Sequence, residues 1–195
     1  MLVPGPKPRR SPKGLQTCFS FRRPPVRKST SHATWVFTRP ELGRILRSWD
    51  KDVAVGVHSV GEADPFVTAI KRPKAPAVPL RQHLQRHPKA PPNGRCRVLY
   101  HGMGQDYPGL RAISRGGSCA VTGYDPGQPD RRFRKKPRGK FNEIYSIYTL
   151  NVVPERTARN IVQQIFDLLK PKGKAVIAVR RDTCGGGLLP RSHDL

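Results

Sequence analysis

Apolar residues in this chain fall into stretches with distinct periods. In "ATWVFTRPELGRILRSWDKDVAVGVHSV", Leu42, Ile45, Leu46 and Trp49 recur at helical spacing, and "VAVGV" has strand character. Proline then dominates "IKRPKAPAVPLRQHLQRHPKAPPNG". It restricts its own φ and its predecessor's, so an extended lead-in around one short helix near residues 80–86 is expected. After Asn93-Gly94 the texture changes. "CRVLY" reads as a strand ending in a Gly-x-Gly turn, "YPGLRAIS" as a short helix with Pro108 in its first turn, and "SCAVTGYD" as a second strand. "FNEIYSIYTLNVV" holds a third, and Pro154 opens a helix with Ala158, Ile161, Val162, Ile165, Leu168 and Leu169 on one face. "KPKGK" closes that helix, and "AVIAV" is the continuous apolar run of a strand covered on both faces.

Strand, helix, strand, repeated, is the pattern of an α/β fold: a Rossmann-like, doubly wound, mostly parallel sheet. Three segments follow: a basic disordered arm over 1–31, a small N-terminal element with the Pro-rich lead-in over 32–92, and the Rossmann-like domain over 93–195. The arm is rich in Pro, Arg, Lys and Ser, and no acidic residue precedes Glu41. Such a segment repels itself and buries little.

Charge narrows the partners. With 37 Lys and Arg against 13 Asp and Glu, the 195-residue chain carries a formal charge of +24, which makes a polyanion, by default nucleic acid, the expected partner. No stretch approaches the ~20 apolar residues of a spanning helix, and the start has no apolar signal region, so no membrane is expected. Cys18, Cys96, Cys119 and Cys184 lie singly, without metal-ligand spacing, and read as reduced thiols in a cytoplasmic compartment. No metal site is expected. Trp35, Trp49, Ile144, Tyr145 and Tyr148 read as packing residues, and His32, His58, His83, His87 and His193 as surface residues.

In an open α/β sheet a ligand lies beyond the carboxyl ends of the strands, where the strand order reverses. Three such ends carry suggestive residues. Gly102 and Gly104 in "HGMGQD" let the backbone approach a ligand closely. Asp125 in "TGYDP", 23 residues after Gly102, is placed to accept hydrogen bonds from the ribose hydroxyls of an adenosine cofactor. Asn151 ends the third strand in "YTLNVVP". Each has a plainer reading, a tight turn for the glycines and a turn before Pro126 for Asp125; it is their order and spacing together that point to a site.

"RVLYHGMGQDYPGL", "AVTGYDP", "FNEIYSIYTLNVVP" and "LLKPKGKAVIAVRRD" resemble the successive motifs of class I S-adenosylmethionine-dependent methyltransferases. They resemble in particular a group of small phage and bacterial methyltransferase-like proteins in which "TAIKR" precedes the glycine loop, as it does here at residues 68–72. The resemblance covers roughly residues 66–182. It implies S-adenosylmethionine as cofactor, with His101, Gly102, Met103 and Gly104 at its methionine end and Asp125 on its ribose. Tyr100 and Asp106 stand where many such enzymes have an acidic residue and a third glycine, and Asp106 is assigned to the cofactor ammonium. Asn151 is assigned to orienting the acceptor, with Tyr148 or Asp182 assisting proton removal. For a phage-encoded chain the compartment would be the host cytoplasm.

The chain stops soon after Asp182, where the family's sheet usually continues with an antiparallel hairpin. A C-terminally shortened sheet is therefore expected, with an uncovered edge that invites a homodimer. "RRFRKKPRGK", residues 131–140, packs seven cations into ten residues. The plain reading is a solvated loop. The sharper one is a phosphate clamp beside the cofactor cleft, formed by Arg131, Arg132, Arg134, Lys135 and Lys136 with Phe133 stacking on a base. Two functions from different classes follow: a methyltransferase acting on nucleic acid or a nucleic-acid-associated acceptor, or a non-catalytic basic nucleic-acid-binding protein retaining the fold. A fragment whose basic tail is incidental is a third.

Overall fold

The computed structural model describes residues 16–29, 31–58, 72–86, 96–115 and 119–181. The chain is α/β, with a mixed six-stranded sheet, a separate two-stranded ribbon and five helices among the described residues. The elements are β1 (Gln16–Phe21), β2 (Arg27–Lys28), β3 (His32–Thr38), α1 (Arg39–Arg47), α2 (Trp49–Asp52), β4 (Val53–His58), α3 (Val78–Arg86), β5 (Arg97–His101), α4 (Tyr107–Arg115), β6 (Ala120–Tyr124), β7 (Phe141–Ile147), α5 (Glu155–Leu168) and β8 (Leu169–Arg180). Short 3-10 turns occupy Arg131–Phe133 and Leu150–Val152.

The sheet order is β2-β3-β8-β7-β5-β6. β6, β5, β7 and β8 run parallel, whereas β3 is antiparallel to β8 and β2 to β3. The chain leaves β5 toward β6 on one side and later adds β7 on the other, so the order reverses between β5 and β7. Alternation along the strands divides the core in two. Leu99, Ile144, Ala175, Ile177, Trp35 and Phe37 face α1, α5 and the β1–β4 ribbon, while Val98, Tyr100, Tyr145, Val176 and Ala178 face α3 and α4.

α5 forms where its periodicity predicts it, burying Ala158, Ile161, Val162 and Ile165. "KPKGK" differs from expectation: β8 begins at Leu169, and the register jumps from Phe141↔Leu169 to Glu143↔Lys174, so these residues form an irregularity in the strand.

Three further expectations are corrected. The edge of β8 expected to lie open is filled by β3 from Lys174 to Arg180, in the register His32↔Arg180 to Thr38↔Lys174. The premise for a homodimer along that edge is thereby removed, because an N-terminal strand supplies the missing antiparallel partner. The segment assigned to a disordered arm is ordered from Gln16: Phe19 and Phe21 pack with Trp35, Phe37 and Trp49 in edge-on and tilted ring contacts 4.8–5.5 Å apart, enough aromatic burial to order a basic segment. Residues 1–15 of the arm lie outside the described residues. Cys96 and Cys119, read as thiols, form a disulfide, because adjacent parallel β5 and β6 set the residues at their starts with Cα atoms 4.5 Å apart.

Two histidines read as surface residues are also packed. His32 is buried, with Ser29, Ser31 and Gln82 around its ring, and His83 lies edge-on to Tyr145. The His58 side chain, His87 and His193 lie outside the described residues. Among the described residues no helix is long and apolar enough to cross a membrane.

Candidate functional site at the glycine turn

β5 ends at the reversal point, and the chain turns there through two left-handed glycines, Gly102 (φ 65°) and Gly104 (φ 50°). A side chain is disfavoured in that conformation. At Gly102 it is also excluded sterically, since a Cβ would lie 2.4 Å from Thr149. Thr149 follows β7 and donates its hydroxyl to the Gly102 carbonyl at 3.3 Å. The residue before it, Tyr148, is itself left-handed (φ 62°), and its amide donates to the Ala178 carbonyl. An uncommon backbone state in a non-glycine residue thus sets Thr149 on the glycine turn.

From the other side the turn is held by the loop after β6. Asp125 accepts the Gly104 amide at 2.8 Å through one carboxylate oxygen and the Gly127 amide at 2.8 Å through the other. Gln128 is fully buried and donates to the Gly104 carbonyl. Its Oε1 has no hydrogen-bond partner among the described residues. No motif marks Gln128 or Thr149 in the sequence; only the meeting of the β5, β6 and β7 ends reveals them.

The expected cofactor residues therefore divide. Gly102, Gly104 and Asp125 come together at one place. Met103 turns into the core, its sulfur occupying the space where a Cβ on Gly123 would sit. His101 is buried, edge-on to Tyr124, with Gln164 3.4 Å from its Nε2. Burial pushes its pKa down to about 4 against the opposing pull of Gln164, so its ring is neutral at pH 7. Asp106, assigned to an ammonium group, caps α4: it accepts the Gly109 amide (2.8 Å), the Tyr100 hydroxyl (2.8 Å) and the Ala77 amide (3.3 Å). Burial, followed by the Asp106 charge, raises the Tyr100 pKa well above the ordinary tyrosine range. Arg72, the last residue of the "TAIKR" stretch, donates to Gln105 at 3.0 Å, which ties the lead-in to the glycine turn.

Of the residues assigned to the acceptor, Asn151 is engaged within the fold. The Asn151 amide nitrogen donates to the Arg180 carbonyl (3.2 Å) and its oxygen accepts the Arg180 amide (2.7 Å), which fastens the end of β8. Tyr148 lies beside the glycine turn, and Asp182 lies outside the described residues.

The basic run also divides. Arg132 is paired with Asp130 at 2.7 Å, and Arg134 donates to the carbonyls of Gln128 and Pro129. Phe133, expected to stack on a base, is half-buried edge-on to Tyr107 and beside Gly123. Arg131, Lys135 and Lys136 remain exposed. The run begins at the carboxyl end of β6, where the Asp125 amide donates to the Phe133 carbonyl, and ends at the start of β5, where Arg97 donates to the Arg138 carbonyl. It crosses the length of the sheet, so only its first part lies at the carboxyl ends of the strands beside the glycine turn.

Among the described residues no group of three or more His, Cys, Asp or Glu is placed to hold a metal ion. Comparison with protein-family models, with curated proteins and with solved structures finds no match to this chain.

Proposed function

We propose that this chain is an S-adenosylmethionine-dependent methyltransferase built on a Rossmann-like, doubly wound sheet, with nucleic acid or a nucleic-acid-associated molecule as acceptor. The observation that carries the reading is the clasp between Asp125 and the left-handed glycine turn at the reversal of strand order. That is where an open α/β sheet binds its ligand.

Two features of the site suit the cofactor. A carboxylate offers about four lone-pair positions, and the Gly104 and Gly127 amides use two, which leaves acceptors for the ribose hydroxyls. Gln128 Oε1, which has no hydrogen-bond partner among the described residues, is a further buried acceptor beside the turn. The β2–β3 hairpin also supports the assignment, because it supplies from the N-terminal side the antiparallel partner expected beyond the last parallel strand. When bound, the cofactor supplies a methyl group on a sulfonium with its own leaving group. The protein's task is then chiefly to position the acceptor. Asn151 contributes by fastening the ends of β7 and β8, and the exposed cations Arg131, Lys135 and Lys136 by attracting a phosphate-bearing acceptor.

The commitment of Asn151 to Arg180 and the seat of Thr149 over Gly102 favour a second reading, a nucleic-acid-binding protein without turnover. Incubation with methyl-labelled S-adenosylmethionine and, separately, duplex DNA, single-stranded DNA and RNA tests the proposal. Label in one of these polymers is the expected result. Salt-sensitive polymer binding with no cofactor binding would establish the second reading instead.

A further inference from the structure

We propose that a second site, between β1 and α1, binds a nucleoside phosphate. A cavity of about 470 Å³ opens there over Phe21 and Ile45, with Arg23, Arg44 and Arg47 around it. Its size is within the range of small-molecule sites.

The charges at this cavity are unevenly matched. Glu41 is held by Arg23 at 2.5 Å and by the amide and hydroxyl of Thr38 at 2.8 and 2.9 Å. Against the upward push of burial, these bonds pull its carboxyl below the ordinary range, so it stays ionised and committed. Asp52 accepts the Ser48 hydroxyl. Arg44 and Arg47 are exposed and make no ion pair with a described carboxylate. Three residues apart on one helix, they are neighbours on its surface and border the same cavity, where like charges disfavour each other and, with Glu41 paired to Arg23, Asp52 is the one lining carboxylate left to offset them. An anion between them removes that repulsion.

The guanidinium fork matches phosphate oxygens in pairs. Phe21 and Ile45 line the same cavity and, though largely buried, give it an apolar part against which the nucleoside can rest. The ligand is therefore a phosphate carried on a nucleoside, either free or at the end of a strand. This site is built from other residues than the glycine turn and does not depend on the methyltransferase reading.

The test is calorimetric titration of the full chain with AMP, with adenosine and with a short 5′-phosphorylated single-stranded oligonucleotide. The wild type is expected to bind AMP or the oligonucleotide and not adenosine. Binding of AMP identifies a free nucleotide, and binding of the oligonucleotide that is lost when its 5′-phosphate is omitted identifies a strand end. Arg44→Gln with Arg47→Gln should weaken that binding by about tenfold or more, as expected for lost charged hydrogen bonds. Arg111→Gln with Arg115→Gln, exposed on α4, should not. The substitutions are exposed, and an unchanged melting temperature verifies the fold. The proposal is overturned if neither phosphate ligand binds, if the Arg44/Arg47 variant binds as the wild type does, or if S-adenosylhomocysteine competes with AMP for one site.

Discussion

The two flanks of the six-stranded sheet are built from opposite materials. On the β8 side, β3, β2 and the β1–β4 ribbon bring Phe19, Phe21, Trp35, Phe37 and Trp49 into one buried cluster. On the β6 side, the outer strand is five residues long and half-exposed through Val121 and Thr122, and the crossover to β7 is a cationic run rather than a helix. The first flank holds the fold together by apolar burial. The second leaves backbone turns, a carboxylate and unpaired cations at the surface, which are the materials of a binding site.

Truncation should separate the flanks most sharply. Trp35 is buried and its indole donates to the Arg23 carbonyl at 2.7 Å. Trp35→Ala should cost about 3–5 kcal/mol in urea unfolding, against about 1 kcal/mol for Val121→Ala on β6. Similar losses at the two positions would show that the aromatic flank is not the main source of stability.

The next effect lies at the glycine turn. Gly102→Ala places a methyl group 2.4 Å from Thr149 in a left-handed backbone, at a cost of about 2–4 kcal/mol from conformation and overpacking together. Adding Thr149→Ala should recover the packing part and leave the conformational part. Full recovery would mean that the backbone conformation at Gly102 carries no cost.

His101 gives the ligand flank a pH signature. Its folded pKa of about 4 lies below its ordinary 6.5, so the unfolded chain binds the extra proton between those values. Stability is therefore complete above pH 6.5 and falls by about 2–3 kcal/mol as the pH drops to 4. His101→Gln should remove that part of the slope, and an unchanged slope would assign it to other groups.

Not all of this was legible in the sequence. The helical face of α5 and the strands β5, β6 and β7 follow from local periodicity, because each element's apolar pattern is contained within it. β3 was missed because its main partner β8 lies more than a hundred residues away, "HATWVFT" lacks clean alternation, and its local hairpin mate β2 is only two residues long. The ordered β1 was hidden by its basic, proline-rich surroundings. At the site, the order of Gly102, Gly104 and Asp125 was readable, since a turn and a carboxylate are local features. The commitments of Asp106 to α4, Asn151 to Arg180 and Arg132 to Asp130 were not, because hydrogen-bond partners are settled only once the elements are packed.

The smallest effect concerns the cations. With Arg132 and Arg134 engaged internally, neutralising Arg131, Lys135 and Lys136 should lower the salt slope of duplex DNA binding by about two to three units, just under one per phosphate contact. Adding Arg132→Gln should change little more. An unaltered slope in the triple variant would move the polymer contacts elsewhere.

The division of the molecule into a structural flank and a ligand flank is tested most directly by calorimetric titration with S-adenosylhomocysteine of the wild type, Asp125→Asn and Trp35→Phe. Binding should weaken about tenfold to a hundredfold in Asp125→Asn, the loss of charged hydrogen bonds to the ribose, and persist in Trp35→Phe. Failure of the wild type to bind, or equal affinity in the wild type and Asp125→Asn, would contradict the assignment of the glycine turn as the cofactor site.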